Sequence, residues 1–119
     1  MIRNATRSLE IASDITYCNS FLHRGLGLMF RRKLTRDQAY LFIEPHASLT
    51  TTAVTMLFVF FPIAIIWLNK DKRVIDKTLA LPWRLIYVPD RPACYYIEAH
   101  PSALDQVEIG DMLTFPDPA

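Results

Sequence analysis

Two short stretches of this chain pair a carboxylate with an imidazole at the same spacing, Glu44-Pro45-His46 and Glu98-Ala99-His100. On a strand, residues i and i+2 share a face, so each stretch presents a Glu beside a His. If the two pairs met, Glu44, His46, Glu98 and His100 would offer oxygen and nitrogen ligands to a metal ion. Pro45 and Pro101 favour a plainer reading, in which both pairs stand at strand ends and face water. The spacing matches no established ligand pattern, so no cofactor is assigned.

The remaining reactive side chains stand alone. Ser48 and Ser102 lie in no G-x-S-x-G elbow. Cys18 and Cys94 are far apart in sequence and form no C-x-x-C motif, which leaves two buried structural thiols as the expectation. Gly25, Gly27 and Gly110 make no phosphate-binding loop. No catalytic residue is assigned.

Trp83-Arg84 sits among Pro82, Pro89 and Pro92, in the kind of irregular loop that carries binding contacts. Its roles are stacking or cation–π contact with a ligand, or a structural one: Trp83 closing an end of the domain and Arg84 pairing with a carboxylate such as Glu98. Arg24 and Arg31 flank a Gly-Leu-Met stretch and are candidate anchors to Asp111 or Glu98. The candidate binding residues are therefore Trp83, Arg84, Arg24, Arg31 and Glu98.

These side chains must be positioned mostly by strands. Leu9, Ile11, Ile15 and Tyr17 suggest extended segments broken near Ser13 and Asp14. Ser20 is placed to cap a short helix at 21–26, which Gly25 and Gly27 end. A polar loop turns at 34–37, and a strand at 39–44 is expected to stop at Pro45. Asn69–Lys72 is a turn signal between Ile63–Leu68 and a strand at 73–79 whose mixed faces suggest a sheet edge. After an irregular crossing at 81–92 come a strand at Ala93–Ala99, a helical turn at 103–107 capped by Ser102, and a last strand at 112–115. The pattern predicts a mostly β fold with a minor helical part. It is a compact sandwich-like or barrel-like single domain of 119 residues with one short N-terminal helix.

The apolar run at 53–68 decides between two kinds of protein. A spanning helix needs about 20 predominantly apolar residues. The run is shorter, contains Pro62, which would kink a helix, and is rich in β-branched and aromatic residues. Two strands, at 54–60 and 63–68, explain it better. Strands so uniformly apolar must be covered on both faces or meet another apolar surface. Self-association, or a protein partner on these strands, follows as an expectation. A membrane-associated domain is the alternative. The net charge of +1 argues against nucleic-acid binding. The charged N-terminus with no apolar stretch behind it is not a secretory signal, so a cytoplasmic location is expected.

The order of landmarks resembles a known family. Arg24-Gly25-Leu26-Gly27-Leu28-Met29-Phe30-Arg31 is similar to the R-x-x-G-L-M-x-R signature of DUF192, also called UPF0127, a small bacterial and archaeal domain of unknown function. Asn4-Ala5-Thr6-Arg7 resembles its opening N-x-T-R, and Leu41-Phe42 resembles the segment after the first loop. Phe61-Pro62-Ile63 with Ile65-Ile66-Trp67-Leu68 resembles F-P-I-D-V-V-F-L-D, and Lys72-Arg73-Val74 resembles G-R-V. Pro82-Trp83-Arg84 and the closing Gly110-Asp111 complete the series. The resemblance implies a compact, mostly β domain with no established activity. The chain departs from it at Ala64, where the family places Asp, at Tyr40, where it places Gly, and at 55–59, where polar residues are usual. If those polar groups line a pocket in relatives, this chain has made the pocket apolar.

The functional expectation is a non-enzymatic binding or protein-interaction module. The alternatives are a small metal-binding protein or enzyme using the Glu/His pairs, and a membrane-associated domain using the apolar run.

Overall fold

The structure, a computed structural model, describes residues 1–18, 34–48, 61–82 and 87–116. Its strands are β1 (Ile2–Asn4), β2 (Leu9–Ala12), β3 (Asp14–Cys18), β4 (Gln38–Ser48), β5 (Ile63–Leu68), β6 (Val74–Ala80), β7 (Ala93–Ala99) and β8 (Leu113–Thr114). A 3-10 helix, Pro101–Gln106, follows β7. The helix expected at 21–26 and the strand expected at 54–60 lie outside the described residues.

Five strands form one sheet in the order β3-β4-β7-β5-β6, and three form a second in the order β2-β1-β8. All pairings are antiparallel except β3 with β4. That parallel pair needs a long crossover, which the chain between residues 18 and 38 supplies. Of the two expected architectures, the sandwich is the one present; the sheets form no closed barrel.

β5 shows why the apolar run is so uniform. It lies between β7 and β6 with all six residues buried. Ala64, Ile66 and Leu68 join Leu41 and Ile97 on one face, against Ile2, Ile11, Val107 and Leu113 of the small sheet and its flanks. Ile63, Ile65 and Trp67 point to the other face, in a cluster with Leu34, Phe42 and Tyr96. Burying each large side chain contributes about 1.5–3 kcal/mol, so this strand alone is a major part of the hydrophobic term. Among the described residues, no helix is long and apolar enough to cross a membrane.

Two boundaries differ from expectation for local reasons. β4 does not stop at Pro45 but continues to Ser48. The register passes from Ile43↔Tyr95 to Ser48↔Ala93, so the strand bulges there. A bulge leaves a residue outside the ladder and so tolerates a proline that has no N–H to give. Ser102 does not cap the last helical turn. The turn starts at Pro101, and His100 caps it: its Nδ1 accepts from the Ser102 backbone N–H at 3.1 Å. Proline suits the first helical position, where its missing donor is not required. β6 is the sheet edge its mixed faces predicted.

The chain ends are joined by one buried polar network. The Asp111 Oδ2 accepts from Asn4 Nδ2 at 2.8 Å, Arg7 Nε at 2.7 Å and the Glu108 backbone N–H at 2.9 Å. Asn4 Nδ2 also donates to the Gln106 carbonyl at 2.9 Å. Thr6 Oγ1 accepts from the Met112 backbone N–H at 2.8 Å. The β5–β6 turn joins in: Val74 N–H donates to the Asp111 carbonyl, Gly110 N–H to the Val74 carbonyl, and Leu113 N–H to the Lys72 carbonyl. Gly110 takes the left-handed φ of 98°, which a side chain would resist. Burial pushes the Asp111 carboxyl upward, but the hydrogen bonds from Asn4, the Glu108 backbone and Arg7 outweigh it and hold the group below its usual range.

Asn4→Ala removes both bonds donated by Nδ2, and the one that Oδ1 accepts from the Arg7 backbone N–H at 3.2 Å, and leaves buried acceptors short of a donor. The expected cost at pH 7 is about 1–3 kcal/mol in denaturant unfolding. Because the folded pKa of Asp111 is depressed, its contribution is present above the unfolded value of about 3.9 and lost as pH falls through the lower folded value. Acid unfolding of Asn4→Ala should therefore begin at a higher pH than that of the parent protein. An unchanged acid limb would show that Asn4 does not hold this carboxylate.

Candidate functional site

The face of the large sheet turned away from the small sheet is largely aromatic. Alternation puts Tyr40 and Phe42 of β4, Tyr96 and Glu98 of β7, and Ile65 and Trp67 of β5 on it together. Phe42 and Tyr96 stack with centroids 4.3 Å apart and planes within 5°. Trp67 pairs with Tyr96 from the other side. Phe61 and Tyr87 are half-buried against the same cluster, and the Tyr87 hydroxyl accepts from the Leu81 backbone N–H at 2.8 Å.

Glu98 stands in this setting, between Tyr40 across the β4 pairing and Ile65 across the β5 pairing. It is 6% exposed. Among the described residues its carboxyl makes no hydrogen bond or ion pair. No fully buried polar side-chain atom of those residues lacks a partner, so the carboxyl oxygens keep a sliver of accessible surface. Loss of hydration on burial favours the neutral form of Glu98 and pushes its pKa up to about 8.

The two Glu-x-His pairs are kept apart. Glu98 pairs with Tyr40, while Glu44 lies four residues further along β4, next to Cys94. Four strand residues span about 13 Å. Glu44 is half-buried within β4 rather than at a strand end, and Glu98 is buried rather than solvated. The His46 side chain lies outside the described residues. The His100 Nδ1 is engaged by Ser102, through the backbone N–H at 3.1 Å and the hydroxyl at 2.9 Å. Among the described residues no group of three or more His, Cys, Asp or Glu side chains could hold a metal ion. Trp83, Arg84, Arg24 and Arg31 lie outside the described residues, which leaves Glu98 as the described member of the candidate binding set. Cys94 is a free, buried thiol whose pKa burial pushes up, which makes it a poor nucleophile.

Sequence reasoning missed two features. Arg7 is a described partner of Asp111 that no local spacing signals. A cleft of about 450 Å³ also opens between β2, the turn before β4 and the 3-10 helix, lined by Glu10, Ser13, Arg36, Asp37, Asp105 and Gln106. Its walls come from segments far apart in the chain, so no local spacing could signal it. The Ser13 and Asp14 backbone N–H groups donate to the Asp37 carbonyl and hold one wall in place.

The family model for DUF192, described as an uncharacterized ACR, matches residues 2–115. A UPF0127 protein of the archaeon Pyrococcus furiosus is 37% identical over 112 residues, 92% of this chain and 93% of that one. Another, from Pyrococcus horikoshii, is 32% identical over 115 residues, 95% of this chain and 96% of that one. A crystal structure of a protein of unknown function from Novosphingobium aromaticivorans has the same fold, with a TM-score of 0.77, 20% identity, and coverage of 85% of this chain and 74% of that one. The landmarks Asn4–Arg7, Lys72–Val74 and Gly110–Asp111 meet in the network that ties the chain ends, so much of this signature records the fold. The chain belongs to the DUF192, or UPF0127, family of uncharacterised proteins.

Proposed function

We propose that this chain is a non-enzymatic binding module whose ligand contacts the aromatic face of the large sheet at Glu98. The observation that carries this reading is a carboxyl inserted among rings and aliphatic side chains, without a hydrogen-bonding partner among the described residues. With little accessible surface left, the carboxyl is poorly hydrated, and a ligand supplying a donor would replace that lost hydration. Trp83, Arg84, Arg24 and Arg31 belong to the reading as further candidate contacts. The enzyme and metal alternatives draw less support, since Glu44 lies four residues along β4 from Tyr40, the partner of Glu98, and His100 is spent as a cap.

A second reading, a protein partner or self-association, is favoured at the β6 edge. Leu79 and Leu81 there are 44% and 49% exposed. Light scattering at rising concentration tests it: a dimer mass that Leu79→Ser abolishes supports it, and a constant monomer mass removes self-association.

The state of Glu98 is measurable. Its folded pKa is raised to about 8 from an unfolded value of about 4.3, so between these limits the folded protein holds a proton that the unfolded chain releases. That contribution to stability is complete below the unfolded value and is lost as pH rises through the folded one, at up to about 1.4 kcal/mol per pH unit. Thermal or denaturant unfolding from pH 5 to pH 8 should show this decline in the parent and a flatter profile in Glu98→Gln. Equal slopes would mean that Glu98 is not desolvated. Binding is tested by amide NMR with neutral aromatic fragments such as benzyl alcohol and indole. Shifts centred on Ile65, Tyr96 and Glu98 are expected, and the absence of any shift at millimolar fragment would sink the binding reading.

A further inference from the structure

We infer that the outer edge of β6 is closed to strand addition, by side-chain caps from Asp76 and Tyr87 at its middle and far end and by backbone bonds to Gly110 and Asp111 at its start. The inference is independent of the binding reading at Glu98. It limits the second reading above: a partner at this edge meets the Leu79 and Leu81 side chains rather than a free ladder.

A strand at the end of a sheet turns every second N–H and C=O outward, where another chain can pair with them. β6 ends the five-stranded order, so its outward groups can be followed one by one. The Val74 N–H donates to the Asp111 carbonyl, and the Val74 carbonyl accepts from the Gly110 N–H, both at 2.8 Å. Val74 therefore turns its backbone away from β5. The register shift between Trp67 and Leu68 adds one residue to β6, so the outward side resumes at Lys77. The Lys77 N–H donates to the Asp76 Oδ1 at 2.8 Å. Two alternations on, just past the strand, the Leu81 N–H donates to the Tyr87 hydroxyl at 2.8 Å. Leu79 stands between these two caps, and a single outward residue is too little ladder for a strand to join.

The caps also hold a strap in place. The second Asp76 oxygen, Oδ2, accepts from the Asp90 backbone N–H at 2.9 Å, so one carboxylate covers an edge donor and pins the crossing beside it. Tyr87, three residues earlier in the crossing, packs its ring into the cluster of Ile75 and Trp67, which fixes the direction of its hydroxyl. The segment 87–90 is thus tied to the edge at both ends. Charge works the same way. Asp76 stands on the aromatic side with Trp67, while Lys77 turns to the other face, where its Nζ donates to the Leu104 and Val107 carbonyls at 2.8 and 2.7 Å. Charged side chains on an edge strand discourage pairing with a further strand.

Amide hydrogen exchange on the full chain, with light scattering, tests the inference. The Lys77 and Leu81 amides should be protected although they face outward, and Leu79 should exchange faster than either. Tyr87→Phe keeps the ring and removes the hydroxyl; exchange at Leu81 should rise at least about tenfold while Lys77 is unchanged. Asp76→Ala should do the same at Lys77 and Asp90. In Asp76→Ala/Tyr87→Phe the opened edge should take β6 of a second copy, seen as a mass that rises with concentration and as new protection at the Leu79 amide. Fast exchange of Lys77 and Leu81 in the parent protein overturns the inference, as does a double variant that keeps the parent's mass. A parent dimer in which the Leu79 amide becomes protected overturns it too, because the edge would then be pairing; a parent dimer with that amide still open supports docking by side chains. The parent's exchange and the conservative Tyr87→Phe decide the capping even if the double variant folds poorly.

Discussion

The three hydrogen bonds to the Asp111 carboxylate are the constraint on which the arrangement of the sandwich depends. The small sheet is slight: β1 has three residues, and β8 meets it through only two paired positions. Such a ribbon is marginal without a hydrophobic face to rest on and a fixed angle to the core. Asn4 and Arg7 from one end of the chain and Glu108 from the other converge on a single oxygen, and backbone bonds from Val74 and Gly110 carry the tie into the large sheet. Ile2, Ile11 and Leu113 are thereby held over Leu41, Ile66 and Ile97. Local propensity would not align strands this short, whereas a buried charge that must be satisfied leaves few other solutions.

The second constraint is two-sided burial of the large sheet. β5 lies second from the edge and is apolar throughout because neither face meets water, so packing within the domain accounts for the apolar character of Ile63–Leu68. Two departures from the family pattern, at Ala64 and Tyr40, fall on opposite faces of the large sheet. Ala64 is fully buried in the cluster beneath the small sheet, with Ala99 and Ala103, where an aspartate would need partners that this apolar neighbourhood does not offer. Tyr40 stands directly across from Glu98 on the other face. The apolar pocket expected from the substitutions is matched at Ala64 by a filled core position; Tyr40 instead adds a ring beside a carboxyl.

What the sequence revealed and what it hid divide along the range of the interactions involved. β5 and β7 were legible residue for residue, because β-branched and aromatic runs bounded by turns and prolines act locally. The β6 edge was legible from its mixed faces. The passage of β4 through Pro45 was not, since a bulge is decided by the partner strand and leaves no mark in the strand's own sequence. Nor was the capping by His100, because histidine is an uncommon N-cap and Ser102 fits the usual pattern better. Asp111 and Arg7 are 104 positions apart, and nothing local announces such a pair. The Glu98-x-His100 spacing drew attention to the right carboxylate for a different reason from the one that sets it apart. Its neighbours across the sheet, rather than the histidine two residues on, determine its state.

Asp111 and Glu98 separate structural from functional chemistry in this small domain. Their burial is nearly equal, 5% and 6% exposed. Their carboxyls nevertheless shift in opposite directions, Asp111 downward and Glu98 upward to about 8. Desolvation raises both, so the difference lies in the donors: Asp111 has three from within the fold, and Glu98 has none among the described residues. The first carboxylate is fully used in holding the chain ends together, and nothing is left for a ligand to add. The second makes no hydrogen bond among the described residues and stands against an aromatic surface. A buried carboxyl with no internal bond among the described residues is the natural place to look for what the domain binds, and the binding reading rests on Glu98 for that reason.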